Sequence, residues 1–243
     1  MFKVCEVFRT IQGEGIDIGL PTIFVRFSGC NLKCTWCDTT YASRPENKFV
    51  ELSLEELLQQ ITDFAPTASV TLTGGEPFIQ NSEELDKLIY ELKGRGFYIN
   101  IETNGVLLPE LAYGYLVDRF SISPKLFSSG NNHGIVISTL KKYLKNYKKT
   151  MFLKFVIGDK RDFEEMLGVL EIIGTKEELQ DIPIVIQPNI DYETAESITI
   201  QVKRFKKLLD LLMIGNYTNQ VKEFNIRIIP QFHKFLWANK RAV

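Results

Sequence analysis

Residues 22–37 read Thr-Ile-Phe-Val-Arg-Phe-Ser-Gly-Cys-Asn-Leu-Lys-Cys-Thr-Trp-Cys, a β-rich run that stops at a glycine and delivers three cysteines into the loop beyond it. Runs of the same kind recur at Ser69–Thr73, Tyr98–Glu102, Phe120–Ser123, Phe152–Ile157, Ile184–Gln187 and Ile226–Ile229. Between them, helical periodicity covers Leu54–Phe64, Ser82–Lys93, Ile137–Tyr147, Asp162–Ile173 and Ile198–Met213. Ser53 with Glu56, and Asn81 with Glu84, predict capping boxes at two helix starts, and Gly94 and Gly96 predict a stop. Strand and helix in alternation build a parallel sheet.

A complete eightfold barrel usually takes about 250 residues. This chain has 243 residues including terminal extensions, and no low-complexity linker divides it. The expected fold is therefore α/β: a single-domain, partial TIM-like β/α barrel over residues 1–243 with short additions at its ends. With 44% hydrophobic and 24% charged residues the chain can bury a full core, which excludes disorder and fibrous repeats.

A net charge of -1 creates no overall field toward nucleic acid or an anionic membrane. Apolar stretches such as Leu208-Leu209 and Leu211–Ile214 are too short to span a bilayer, and Lys3, Glu6 and Arg9 interrupt any signal-peptide core. These features predict a soluble cytoplasmic protein. Lys141, Lys142, Lys145, Lys148 and Lys149 read as a solvated helix face.

Polar motifs follow the strands: Cys30, then Gly74-Gly-Glu-Pro77, Thr103-Asn-Gly105, Ser123-Pro-Lys125, Gln187-Pro-Asn189 and Gln231-Phe-His233. All stand at carboxyl ends, which in a parallel barrel or open sheet form one face, so the motifs are expected to converge on one cleft.

Cys30, Cys34 and Cys37 crowd into eight residues, with Cys5 far away in a β-like run. So few cysteines in so long a chain argue against a disulfide framework. Structural zinc takes four ligands, and Cys5, His133 and His233 are the candidates for the fourth. A cubane iron–sulfur cluster takes one thiolate per iron, so three thiolates leave one iron open. Leu32 and Trp36 would shield such a centre from water.

Cys-X3-Cys-X2-Cys with an aromatic before the last cysteine, followed by a strand-end Gly-Gly-Glu-Pro, resembles the signature of the radical S-adenosyl-L-methionine (SAM) superfamily. The further matches at Thr10–Gly15, Arg26, Gly29, Asp38-Thr39, Thr73–Pro77, Glu102–Gly105, Ser123–Lys125, Gln187-Pro188 and Gln231–Trp237 make the chain similar over nearly its whole length to the 7-carboxy-7-deazaguanine synthase family.

That resemblance implies the rest. Cys30, Cys34 and Cys37 would hold a 4Fe-4S cluster, and SAM would chelate the open iron. SAM would lie along Trp36, Cys37, Asp38, Gly75, Glu76, Ser123, Pro124, Lys125 and Gln187, with Gly75 allowing close backbone approach and Glu76 accepting from the SAM ammonium. The substrate, 6-carboxy-5,6,7,8-tetrahydropterin, would contact Ile11, Gln12, Gly13, Glu14, Arg26, Thr73, Glu102, Gln231 and His233, with Arg26 offering a planar fork to its carboxylate. Thr39 would ligate Mg2+. The implied reaction is hydrogen abstraction from C6, radical ring contraction and loss of ammonia, which makes the chain a carbon–nitrogen lyase of queuosine-precursor biosynthesis. A flavodoxin- or ferredoxin-like electron donor and a homodimer are implied as partners.

Two other classes compete. Activases that generate a glycyl radical on a partner protein share the opening pattern, and a non-enzymatic iron–sulfur or zinc module would require a fourth protein ligand, Cys5 or His133.

Overall fold

Nine strands form one sheet in the computed structural model, which describes residues 1–44, 48–189, 198–214, 217 and 222–237. They are β1 (Phe2–Ile11), β2 (Pro21–Phe27), β3 (Val50–Leu52), β4 (Ser69–Gly74), β5 (Tyr98–Thr103), β6 (Arg119–Ile122), β7 (Met151–Ile157), β8 (Ile184–Pro188) and β9 (Ile226–Ile228). Their spatial order is β3-β1-β2-β4-β5-β6-β7-β8-β9. From β2 to β9 every neighbouring pair is parallel, whereas β1 runs antiparallel to β2 and β3. The end strands β3 and β9 do not pair with each other, so the barrel is partial, as expected.

The helices are α1 (Thr40–Ser43), α2 (Leu54–Thr62), α3 (Ser82–Gly94), α4 (Ile137–Tyr147), α5 (Lys160–Ile173), α6 (Lys176–Leu179), α7 (Ile198–Ile214) and α8 (Phe232–Trp237). Ser53 and Glu56 close both bonds of the expected capping box at α2. At α3 only half of the box forms. Asn81 accepts from Glu84 N, but the Glu84 carboxylate is drawn to the amino group of Met1 instead of returning to the cap. Asp159 caps α5 by accepting from Arg161 N and Asp162 N, which starts that helix two residues before its apolar periodicity does. Among the described residues no helix is long and apolar enough to cross a membrane.

Strand alternation gives the sheet two unlike faces. Val70 and Leu72, Ile99 and Ile101, Phe120 and Ile122, Leu153 and Phe155, and Ile184 and Ile186 belong to the buried core. There α5 adds Phe163, Met166 and Leu170, each contributing roughly 1.5–3 kcal/mol when fully buried. Most of the intervening positions are polar, namely Thr71 and Thr73, Asn100 and Glu102, Ser121, Lys154 and Gln187, with Phe152, Val156 and Val185 as apolar exceptions. Several of these line the lumen.

The β1–β2 connection begins at the amino-terminal ends of the parallel strands, because Ile11 pairs with Pro21. It then enters the lumen. Gln12 and Leu20 close its base (Gln12 N to Leu20 O, 2.8 Å), and Asp17 accepts from Tyr98 Oη at 3.1 Å and Arg119 Nε at 3.2 Å. Gly15, at φ 73°, passes so close to Phe152 that an added Cβ would sit 2.4 Å from that ring. The chain thus carries Gln12 and Glu14 into the barrel from the end opposite the strand carboxyl termini.

Candidate active site

The cysteine loop is fixed by backbone contacts between strand ends. Gly75 N donates to Phe27 O at 3.1 Å, Glu76 N to Gly29 O at 2.8 Å, and Gly29 N to Ala42 O at 2.7 Å. A Cβ on Gly75 would lie 1.9 Å from Gly29 O, so the glycine is required where the end of β4 meets the start of the cysteine loop.

Glu76, expected to accept from the SAM ammonium, joins two strand ends. Its carboxyl is fully buried and accepts from Thr103 Oγ1 (2.7 Å), Asn104 N (2.8 Å) and Phe78 N (3.2 Å), joining the end of β4 to the end of β5. Burial pushes its pKa up to about 7 against those three donors. Glu76 does not line the central cavity, and neither does the buried Pro124; the other expected site residues all do.

Cys30, Cys34 and Cys37 are free thiols facing this cavity. Burial pushes the Cys30 thiol up to about 11 and raises that of Cys34, so ligand binding there must displace protons. Trp36 donates through Nε1 to Ser128 Oγ at 3.2 Å, and the Lys125 ammonium lies 5.7 Å from the centre of its ring. Lys125 also donates to Ser123 Oγ at 2.8 Å, which joins two residues of the Ser123–Lys125 motif.

The same cavity carries a polar wall. Glu102 accepts from Gln12 Nε2 at 3.0 Å and from Thr73 Oγ1 at 2.9 Å, so β4, β5 and the β1–β2 loop meet at one carboxylate. Glu14 accepts from Lys154, from Gln187 Nε2 at 3.1 Å and from Gln231 Nε2 at 2.6 Å. Its own burial favours the neutral acid, but the Lys154 and His233 charges and these hydrogen bonds outweigh that and hold the carboxyl well below the usual carboxylate range. Burial lowers the His233 pKa, and His233 packs on Gly13 so closely that a Cβ there would lie 2.4 Å from its Nδ1. Arg26 lines the cavity with Nε bound to Glu6 at 2.7 Å, and Tyr41 Oη donates to the same Glu6 oxygen at 2.7 Å.

Lys154 and Lys234 were not among the residues predicted for the site. Lys154 sits in the apolar run 152–157 like any strand residue, and only the inward phase of β7 reveals it. Lys234 is buried with its ammonium 3.6 Å from Asp38. Glu14, Asp38 and His233 bring ligand atoms within 4.8 Å of one another, but both carboxylates already face lysine ammoniums.

A family model for the radical SAM superfamily matches residues 24–173. The 7-carboxy-7-deazaguanine synthase of Pyrobaculum aerophilum is 30% identical over 99% of this chain and 96% of its own length. That of Bacillus subtilis is 31% identical over 99% of this chain and 98% of its own. The chain belongs to the 7-carboxy-7-deazaguanine synthase family of the radical SAM superfamily. The crystal structure of QueE from Escherichia coli superposes with a TM-score of 0.66 at 23% identity, covering 94% of this chain and 93% of that one, and so shares its fold.

Membership in this superfamily implies a 4Fe-4S cluster and SAM, and the thiols suit them. Among the described residues, the three cysteine sulfurs do not form a group whose ligand atoms all lie within 4.8 Å of one another. One zinc ion, with Zn–S near 2.3 Å, needs that closeness; a cube ligated at three corners does not. Of the candidate fourth ligands of a zinc module, Cys5 and His133 do not line the cavity, and His233, which does, is grouped with Glu14 and Asp38 and not with the cysteines.

Proposed function

We propose that the chain converts 6-carboxy-5,6,7,8-tetrahydropterin into 7-carboxy-7-deazaguanine with loss of ammonia. One observation supports this reading: the Gln12–Glu14 segment, entering from the amino-terminal ends of the strands, reaches the same cavity as the cysteine loop and bonds Glu102, Gln187 and Gln231 there. When bound, the reduced cluster and SAM supply the carbon radical that starts the reaction. Everything else falls to the protein's own groups.

Cys30, Cys34 and Cys37 hold the cluster, while Trp36, Asp38, Gly75, Ser123, Lys125 and Gln187 line the path of SAM. Glu76 and Pro124 support that path from behind, Glu76 by tying Thr103 and Asn104 to the end of β4. Glu102, already oriented by Gln12 and Thr73, offers its carboxylate to the N–H edge of the pterin, beside the backbone of Ile11 and Gly13. Arg26 takes the substrate carboxylate. Thr39 supplies one hydroxyl to Mg2+, which commonly keeps few protein ligands. Glu14, Gln231 and His233 close the far wall.

The chain acts as one domain, a cytoplasmic homodimer reduced by a flavodoxin- or ferredoxin-like donor. The test is anaerobic reconstitution with iron, sulfide, SAM, Mg2+, reductant and carboxytetrahydropterin. Formation of the deazaguanine carboxylate is expected; SAM cleavage without any turnover of the pterin would reject the reading.

A further inference from the structure

Each cysteine of the loop has a polar neighbour at its sulfur. Leu32 N donates to Cys30 Sγ at 3.4 Å, and the Thr39 and Ser43 hydroxyls lie 3.7 and 3.5 Å from Cys37 Sγ. At Cys34 the donor comes from far away in sequence: Asn131 Nδ2 lies 3.2 Å from Sγ, across 97 positions. Asn131 does not line the cavity. Its contact with the sulfur therefore serves neither SAM nor substrate directly.

The Asn131 amide is locked in one orientation. Its Oδ1 accepts from Lys33 N at 2.9 Å, and Nδ2 also donates to Ser129 O at 3.3 Å. A flipped amide would set an oxygen against the sulfur and an NH2 against the Lys33 N–H, replacing two attractions by two repulsions. The loop that carries it is equally held. Thr35 N donates to Ser129 O at 2.9 Å and Thr35 Oγ1 to Ser128 O at 3.0 Å. The buried Asp162 accepts from Ser128 N at 2.9 Å and Gly158 N at 2.7 Å.

We propose that Asn131 sets the reduction potential of the cluster by donating an N–H hydrogen bond to the Cys34 sulfur. One-electron reduction places negative charge on the cluster and its thiolates. A fixed N–H dipole aimed at one of those sulfurs stabilises the reduced form more than the oxidised one and raises the potential. The inference needs only the cluster that the superfamily implies, so it stands or falls separately from the pterin reading.

The test is a redox titration of anaerobically reconstituted protein, without SAM or pterin, with the reduced cluster followed by electron paramagnetic resonance. In Asn131→Leu, similar in size but lacking the donor, the reduced-to-oxidised ratio at a fixed applied potential should fall about tenfold, a midpoint shift of about 59 mV for one electron. Asn131→Asp keeps an oxygen for Lys33 N but turns a second oxygen toward the sulfur, so at alkaline pH it should fall further. Thr35→Val loosens the same loop while leaving the donor in place and should keep the wild-type midpoint. A wild-type midpoint in Asn131→Leu, or an equal fall in Thr35→Val, would overturn the proposal. Should Asn131→Leu take up no cluster, Asn131→Asp carries the test, and an unchanged midpoint there would overturn it as well.

Discussion

Lys154 donates its ammonium to the Glu14 carboxylate inside the barrel, so that two residues 140 positions apart form one buried ion pair. Each side chain is only 12% exposed. The pair joins β7 to the β1–β2 loop and thereby keeps that loop in the lumen. It also fixes the charge of this part of the cavity wall.

Removing one partner strands the other. In Glu14→Gln the Lys154 ammonium stays buried without its counter-charge, and the cost is expected to be roughly 3–5 kcal/mol. Adding Lys154→Met should recover most of that loss, because the desolvation cost leaves with the charge. Urea denaturation of the two variants and the wild type at neutral pH measures both steps. Equal stability of the single and double variants would contradict the burial argument.

The pH dependence has a defined sign. The folded Glu14 carboxyl is held below its ordinary value of 4.5, so the unfolded chain takes up the proton first as pH falls. Its stabilisation is complete above about pH 4.5 and is lost progressively below. His233, lowered from 6.5 by burial, acts in the same direction from a higher pH. Glu76 opposes it, because a carboxyl raised to about 7 in the fold stabilises as pH drops from about 7 toward 4.5. The stability gap between proteins with and without Glu14→Gln, both carrying His233→Gln to remove the coupled imidazole, isolates the first group. It should stay flat from neutral pH to about pH 5 and shrink below that, as read from urea midpoints across a pH series.

The cysteine loop and the strand-end motifs were legible in the sequence because parallel strands put their carboxyl ends on one edge, so spacing along the chain translates into position. The entry of Gln12 and Glu14 was not, since the β1–β2 loop starts from the other edge; only family resemblance pointed to those residues. Lys154 was hidden for a local reason: no neighbouring residue tells which face of a strand turns toward a polar lumen. Asn81 and Glu84 had the spacing of a capping box, but a distant amino group at Met1 took the carboxylate. Gly75 and Glu76 read as SAM contacts, and the sequence does not show the second demand on them: their packing joins the strand ends to each other and to the cysteine loop.

Two glycines in different settings, one packed at a strand end and one exposed at a helix end, should respond oppositely to alanine. At Gly75 the new Cβ meets Gly29 O at 1.9 Å, a backbone atom that cannot swing away, and the loss is expected to be roughly 3 kcal/mol with the cysteine loop displaced. At Gly94, the last residue of α3, nothing lies within 4 Å, and alanine should stabilise by roughly 0.5 kcal/mol. Thermal unfolding of both variants, with bound iron measured after reconstitution, separates the two. Gly75→Ala should also bind less iron, whereas Gly94→Ala should bind as much as the wild type.

Arg26 gives the sharpest test of substrate recognition. Glu6 binds its Nε at 2.7 Å and is itself held by Tyr41, so the guanidinium is oriented before substrate arrives. Lysine at this position keeps the charge but cannot satisfy Glu6 and a substrate carboxylate with one planar fork. Arg26→Lys should therefore raise KM for carboxytetrahydropterin about ten- to a hundredfold, corresponding to the roughly 1.5–3 kcal/mol of a hydrogen bond to a charged group. SAM binding should stay at the wild-type level, because Arg26 lies outside the predicted SAM path. Tyr41→Phe removes one donor from Glu6 without touching Arg26 and should raise KM by a smaller factor. Steady-state kinetics with pterin varied at saturating SAM reads the two pterin KM values, and SAM varied at saturating pterin reads the third outcome; an unchanged pterin KM in Arg26→Lys would move carboxylate recognition elsewhere in the cavity.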